Sequence, residues 1–594
     1  MPIITRKVLN IETKTKASKH LIKQIKTSLS AVHNYLFHNL TQGKAKALGI
    51  YFALTALLEV SAYLYHGVFS LIASRIWIIG GIACAAGVLS YFVKTVILDI
   101  REKKLTAVCL LGILLLFLIS VIGNLELTEI NPDAAQQASA GLASYQTGDF
   151  NYTGKAFLGY PNRQYVIAAL PAFLFGRSIA SLQLGFAFPF FMGLMIFYCG
   201  LRKWAGRLKV NTNLSVLPLY ALFVFPFISE YFTSFEQAIY PVSFTMLVTG
   251  FFLLLLCEPD MVNITGFAWC GCMLSNSYTP ALAVLGLLLV FAALAAFTLL
   301  FRPKRMQFSV NEAKITAILL FIADAECLIF FLATLIDKRQ DRFSQVRTGT
   351  ETFKLGMKSI FDFLTDKNAS FLGMSGMVII LYLVAGLSLR LKLRDLLIAM
   401  WTLAVFAAAD LMTGYCNYEP AWIMQRAMTV IPVLITGIML TVYDMLGRKR
   451  LCPGPWTVVI IAISFSFTGL FNFRQINQSF LYFNYVQPMK YMFEDLETAV
   501  HDSGLNSMSE FNLILYTDNL LFKNPADYCQ FLYPNAEVYT PDYGVIPEEL
   551  DKDLDTFVYG DTELMPEIEA VEELEVTDER YELEFTWYKG RITD

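Results

Sequence analysis

Apolar runs of about 18 residues or more recur along this chain at 47–66, 77–98, 105–123, 179–200, 238–257, 279–301, 313–336, 396–413, 424–445 and 456–474. A run of that length matches the hydrocarbon thickness of a bilayer, and no water-soluble core of this size buries so many of them. Shorter runs at 214–229, 264–277 and 373–389 read as further spans, for a total of about thirteen. With 56% hydrophobic residues in 594, the chain reads as an all-α polytopic membrane protein.

Charge between the runs assigns the sides. The first 46 residues carry Arg6, Lys7, Lys14, Lys16, Lys19, Lys23, Lys26, Lys44 and Lys46 against Glu12, which places this basic arm in the cytoplasm. Within it, 18–40 suits either a basic amphipathic helix on anionic lipid or a solvated segment. Basic clusters return after every second span: Arg101, Lys103 and Lys104; Arg202, Lys203, Arg207 and Lys209; Arg302, Lys304 and Arg305; Arg390, Lys392 and Arg394; Arg448, Lys449 and Arg450. An odd number of spans then leaves the C-terminus outside. The loops 124–178 and 337–372 fall on that outer face too.

From residue 484 onward there are 26 acidic and 6 basic side chains, so the formal net charge of −4 conceals a basic inner end and an acidic outer tail. That surface argues against a nucleic-acid partner. Three segments of the tail, 511–519, 555–561 and 581–588, have strand character, and the acid-rich stretch 547–579 has the composition of partial disorder. The tail is therefore expected to be a small extracytoplasmic α/β domain over 484–594. Of ten cysteines only Cys416 and Cys529 fall on the outer side of the membrane, which leaves a disulfide between them open. Cys270 and Cys272, two apart on a helix, point away from each other. With five histidines, three of them in the inner arm, outer-face chemistry must rely on carboxylates.

The outer loop opens with Asn131-Pro132-Asp133. Pro132 breaks one helix and Asp133 suits the cap of the next. Asp133 is equally placed to act as a general base, taking a proton from an acceptor hydroxyl at the membrane face. Glu230 and Glu236 flank the next entry into the membrane, and Glu236, nearer Pro241, is the candidate second acid; an interfacial carboxylate in water is the alternative. Arg426 lies in the first turns of an apolar span at its outer end. An arginine there either snorkels or meets an anion such as a lipid phosphate, which a guanidinium binds in a bidentate manner. Arg342, Arg347, Lys354 and Lys358 stand on an otherwise acidic exterior. They either form a solvated face or steer an anionic donor.

An acid in a long outer loop, Asp133, is followed by Pro161, Leu170-Pro171 and Phe175-Gly176, and later by Arg426 and Pro432. In this order the pattern resembles the membrane glycosyltransferases of superfamily C (GT-C), the group of the protein O-mannosyltransferases and lipid A aminoarabinose transferases. The segment 266–285 is similar to the apolar hairpin of that family. Departures are Ala134 where the partner acid would stand, Asn162 for the second proline, and Ser277-Tyr278 in place of a lysine at the hairpin bend. The resemblance implies a GT-C-like module over 99–474, preceded by an extra transmembrane hairpin at 47–98.

It further implies a polyprenyl-phosphate-linked sugar as donor, an extracytoplasmic acceptor (glycan, lipid or protein) and inversion at the anomeric carbon. Asp133 and Glu236 would be catalytic. Arg426, Arg347 and Lys354 would bind the donor phosphate, and Tyr160 and Arg163 would position the acceptor or the loop. No metal ligands stand out, and a divalent ion is left open. A multi-pass protein of the plasma membrane, bacterial in composition, is the expected setting. Two rival readings remain. One is a transporter or flippase of lipid-linked sugars using Asp324, Glu326 or Asp410 within spans; the other is a non-catalytic scaffold.

Overall fold

The computed structural model describes residues 35–37, 40–124, 134–150, 163–224, 228, 239–277, 281–306, 308–336, 429, 431–449, 454–479, 483–516, 525–542, 545–561, 570–574 and 585–590. Among these, seven helical stretches are long and apolar enough to cross a membrane. The chain is a multi-pass, mainly helical membrane protein with a small sheet near its C-terminus. The expected spans at 373–389 and 396–413 and the loop 337–372 lie outside the described residues, as does nearly all of the basic arm.

The first three helices, α1 (Gln42–Tyr65), α2 (Val68–Glu102) and α3 (Lys104–Asn124), follow the apolar runs closely. At 35 residues α2 extends about 52 Å, so its apolar middle spans the hydrocarbon and its ends project beyond it. Outward-facing Ile50, Leu54, Leu57, Ile79, Ile82 and Leu111 stay exposed, as lipid-facing side chains must. The outer loop folds into short helices α4 (Ala134–Thr147), α5 (Arg163–Ala168), α6 (Leu170–Phe175) and α7 (Ile179–Gln183) before α8 (Ala187–Arg207) returns through the membrane. The run expected at 179–200 is thus broken at 184–186, where a turn separates α7 from α8. The weaker run at 214–229 is a 3₁₀ turn followed by α9 (Leu217–Phe223), which has a proline in its first turn.

The centre of the bundle is α10 (Ile239–Cys257). It is apolar on every side, and 94% of its span is buried, against 33% for α1 and α2 and 28% for α3. It lies along α8 with the backbones nearly touching: a Cβ on Gly200 would stand 2.7 Å from the Gly250 carbonyl oxygen. Helices α11 (Met261–Ser275), α12 (Ala281–Phe301) and α13 (Val310–Ile336) complete the wall against α1. Helices α14 (Ile431–Lys449) and α15 (Pro455–Ser479) close the bundle against α9. Cys270 and Cys272 do diverge, Cys270 toward Cys84 (3.5 Å) and Cys272 toward Cys327 (4.0 Å).

The two ends of the bundle differ in charge. At one end Arg202 pairs with Asp99 (2.6 Å), Lys203 with Glu258, and Arg207 donates to the Leu256 carbonyl. There Asp260 caps α11 by accepting from the Asn263 amide (2.8 Å). The opposite end carries α4–α7 and the C-terminal domain. That domain consists of α16 (Phe483–Asp502), β1 (Asn512–Leu515), α17 (Pro525–Leu532), β2 (Glu537–Tyr539), β3 (Thr556–Asp561), β4 (Ala570–Leu574) and β5 (Phe585–Gly590).

Its five-stranded sheet has the order β2-β1-β3-β5-β4, with β1 parallel to β2 and β3, and β5 antiparallel to β3 and β4. Side chains alternate across it: Leu513, Leu515, Phe557 and Tyr559 belong to the main core, while Ile514, Tyr516, Leu550 and Val558 form a second cluster. Within the acid-rich stretch 547–579, the strand expected at 555–561 is β3. Phe557, Val558 and Tyr559 supply enough apolar surface to seat β3, and β4 also falls in that stretch. Cys529 is a buried free thiol in α17, and Cys416 lies outside the described residues.

Candidate active site

Of the residues the sequence singled out, the structure describes Arg163 of the transferase set and Asp324 and Glu326 of the transport set, while Asp410 lies outside the described residues. Asp133, Tyr160, Glu236, Arg347, Lys354 and Arg426 lie outside the described residues, as do Glu230, Arg342 and Lys358. Helix α4 begins at Ala134, the residue after Asp133, so the geometry of α4 and its supports is what bears on that position.

Arg163 opens α5 and turns its side chain into the bundle, where it is almost completely buried. Its Nη2 donates to both carboxylate oxygens of Glu59 at 2.7 Å. Glu59 sits on the inner face of α1 among Leu48, Phe52, Ala56, Ala62 and Tyr63, spaced as one helical stripe. The guanidinium also lies over the rings of Phe330 (4.7 Å) and Trp77 (5.5 Å). A lone arginine in this apolar setting would be very costly; the carboxylate and the two rings make it tolerable.

Beside this pair is a cavity of about 40 Å³, bordered by Tyr51, Thr55, Trp269 and Glu326. That volume holds two or three water molecules and no sugar. The Thr55 hydroxyl is hydrogen-bonded to Glu326. Among the described residues no cation pairs with Glu326, and both Asp324 carboxylate oxygens are buried without a hydrogen-bond partner. Among the described residues no group of three or more His, Cys, Asp and Glu could hold a metal ion.

Above the pair, the outer loop is fastened to the first hairpin at several points. The Phe150 amide donates to Ser74 Oγ (2.8 Å), Ser70 is hydrogen-bonded to Asp149, and the Phe150 ring stands edge-on to Trp77 at 5.5 Å. Gly148 has φ +72°, a left-handed backbone that favours glycine, and it lies beside the Arg75 guanidinium. Helix α4 packs on α5 so closely that a Cβ on Gly141 would stand 2.3 Å from the Tyr165 carbonyl oxygen. Tyr145 donates to the Val166 carbonyl (2.6 Å) and stacks on Phe173 at 4.4 Å; burial holds its phenol well above its ordinary pKa, so it stays a donor.

From the other side the C-terminal domain seats α17 on α4. Gln136 donates to Asp527 (2.7 Å), and Arg177 Nη1 donates to the Phe531 carbonyl (2.9 Å) with its guanidinium over the Phe531 ring (5.8 Å). Partial burial lowers the pKa of Arg177, which remains a cation at neutral pH. The helix that starts after Asp133 is therefore held between the bundle and the C-terminal domain.

No family model matches this chain, and no curated protein matches it. Among solved structures it is similar to ArnT from Cupriavidus metallidurans bound to undecaprenyl phosphate, with 12% identity over 82% of this chain and 98% of that one and a TM-score of 0.47.

Proposed function

We propose that this chain is a GT-C-type glycosyltransferase that moves a sugar from a polyprenyl-phosphate-linked donor to an extracytoplasmic acceptor. The observation that carries the reading is the outer loop. It folds as a cap of short helices at one end of an apolar bundle, held from below by Arg163 and Glu59 and from above by α17, and Asp133 directly precedes the first of these helices in sequence. In the proposed reading the Asp133 carboxylate works at the boundary where a lipid-borne donor keeps its chain in the bilayer and offers its sugar to water.

In the proposed reaction Asp133 takes the proton of the acceptor hydroxyl. The hydroxyl oxygen forms a bond to the anomeric carbon from the face opposite the phosphate. The bond from that carbon to the phosphate oxygen breaks, and polyprenyl phosphate leaves with the electron pair, so the configuration inverts. The leaving phosphate needs no proton. Arg426, with Arg347 and Lys354, would hold its charge, and Glu236 would be a second acid near the acceptor. Tyr160 and Arg163 would set the loop over the acceptor. The proposed setting is a bacterial plasma membrane with the N-terminus in the cytoplasm and the C-terminal domain outside.

One observation favours a second reading, transport of lipid-linked sugars: Asp324 and Glu326 are carboxylates within a span, and among the described residues no cation forms an ion pair with either.

The test is release of free polyprenyl phosphate by protein in nanodiscs given a panel of polyprenyl-phosphate hexoses and acceptor extract, with and without divalent metal. Release by the wild type, reduced about 10²- to 10⁴-fold by Asp133→Asn, is the expected result. Equal release by both would remove Asp133 from the mechanism. No release from any donor would overturn the transferase reading, and donor movement across sealed vesicles without release would establish the second.

A further inference from the structure

The first hairpin, an addition to the family-like module by sequence, is fastened to that module at the point where the outer cap enters the membrane. We infer that Glu59 is a positioning residue, which through Arg163 sets where α5, and with it α4 and the Asp133 end of the cap, stands on the bundle. This inference rests on the transferase reading for its effect on turnover, and on geometry alone for its effect on the cap.

Three observations converge. Glu59 and Arg163 are both buried and meet through one guanidinium nitrogen at 2.7 Å from each carboxylate oxygen. The guanidinium also lies over the rings of Trp77, from the same hairpin, and Phe330, from α13. Asp149 and Phe150 are fastened to the same hairpin through Ser70, Ser74 and Trp77. Both Phe150 and Arg163 are thus anchored on the hairpin.

Stability alone does not account for the pair. A buried ion pair is often no better than well-packed apolar side chains of equal volume, because desolvating two charges offsets their attraction. What the pair adds over an apolar contact is direction: carboxylate and guanidinium fit in few relative orientations, whereas a leucine cluster accepts many. From Arg163 the constraint passes through rigid contacts. Helix α5 meets α4 at the Gly141–Tyr165 contact and the Tyr145–Val166 hydrogen bond, and Asp133 directly precedes α4. Misplacing a reacting group by about 1 Å costs on the order of 100-fold in rate.

The experiment compares wild type, Glu59→Gln, Arg163→Lys and the double variant Glu59→Leu/Arg163→Met in nanodiscs. Hydrogen exchange is followed in 163–168 and in the central helix 239–257, and kcat and KM are measured with the donor the wild type uses. For Glu59→Gln, exchange in 163–168 is expected to rise by about 100-fold while 239–257 stays protected. Its kcat should fall by about 10- to 100-fold with the donor KM within about twofold of wild type. Arg163→Lys, which keeps the charge but loses the planar guanidinium, should show a kcat deficit of the same order.

The double variant separates positioning from stability, since it removes both charges and restores apolar packing. A folded double variant with the same kcat deficit supports positioning. Recovery of kcat in it, or unchanged exchange at 163–168 in Glu59→Gln, overturns the inference. If the wild type releases no polyprenyl phosphate from any donor, the transferase reading fails, and exchange at 163–168 decides whether Glu59 positions the cap.

Discussion

Arg177→Ala should loosen the C-terminal domain from the membrane cap without unfolding it. Arg177 lies between α6 and α7 and donates to the carbonyl of Phe531, one of the last four carbonyls of α17, which have no partner within their own helix. A hydrogen bond from a charged donor contributes about 1.5–3 kcal/mol, and the half-exposed setting of Arg177 favours the lower figure. The cation at a helix C-terminus adds about 0.5 kcal/mol, and its position over the Phe531 ring a similar amount. The sum, about 2.5 kcal/mol, corresponds to about 70-fold in the docking equilibrium.

Removing the neighbouring Gln136–Asp527 bond as well, by Gln136→Ala, would raise the effect to between about 100- and 1000-fold, less than a simple sum because the two contacts share α17. Hydrogen exchange in nanodiscs reads this directly. Amides of 525–532 and 134–147 should exchange faster by these factors, while 512–515 and 556–561 keep their protection because β1 and β3 pair within the domain's own sheet. Unchanged exchange at 525–532 in the double variant would refute the docking argument. Equal loosening of β1 and β3 would show that Arg177 supports the domain's folding instead of its seat.

Three further outcomes follow from the same geometry. Gly250→Ala places a methyl 2.7 Å from the Ile196 backbone and should destabilise the α8–α10 pair by about 1–3 kcal/mol, read as a lower Tm in detergent; an unchanged Tm would mean the helices separate at no cost. Asp260, in the loop between α10 and α11, has its carboxyl pushed up from 3.8 to about 6 by burial, against the opposing pull of its Tyr91 and Asn263 hydrogen bonds. Its raised folded-state value means that its contribution is fully present below about pH 4 and is lost as pH rises through about 6, a change of about 3 kcal/mol that Asp260→Asn should flatten in pH-dependent melts. Asp133→Asn should lose release of polyprenyl phosphate while keeping the wild-type Tm, since asparagine caps helices as well as aspartate does.

The helical architecture was legible because span length and loop charge are set by the bilayer itself. The run at 238–257 became α10 within a residue, and the basic clusters Arg202–Arg207 and Arg101–Lys104 do share one end of the bundle. Strand positions in the tail were legible for a related reason: Phe557-Val558-Tyr559 and Leu513-Ile514-Leu515 announce a two-sided sheet even among acidic neighbours. Strand pairing was not legible, because the order β2-β1-β3-β5-β4 depends on crossovers that no local pattern encodes.

Glu59 shows most clearly where the sequence reading fell short and why. It was absorbed into an apolar run at 47–66, because one carboxylate barely shifts the average hydropathy of twenty residues. Yet ionisable side chains within spans are rare, and each needs a partner. The sequence offered one in Arg163, assigned to positioning the acceptor or the loop. What it could not supply is that these two, 104 residues apart, face each other across the boundary between hairpin and cap. The same reasoning explains why Glu326 and Asp324 were noticed while Glu59 was not: two acids in one run stand out, and one does not. A single ionisable residue in a span thus has to be read as half of a pair, with its partner sought in a neighbouring loop as readily as in another span. By that rule the hairpin is to be read together with the helices it packs on, to which Glu59 ties it through Arg163, with α2 running unbroken from Val68 to Glu102.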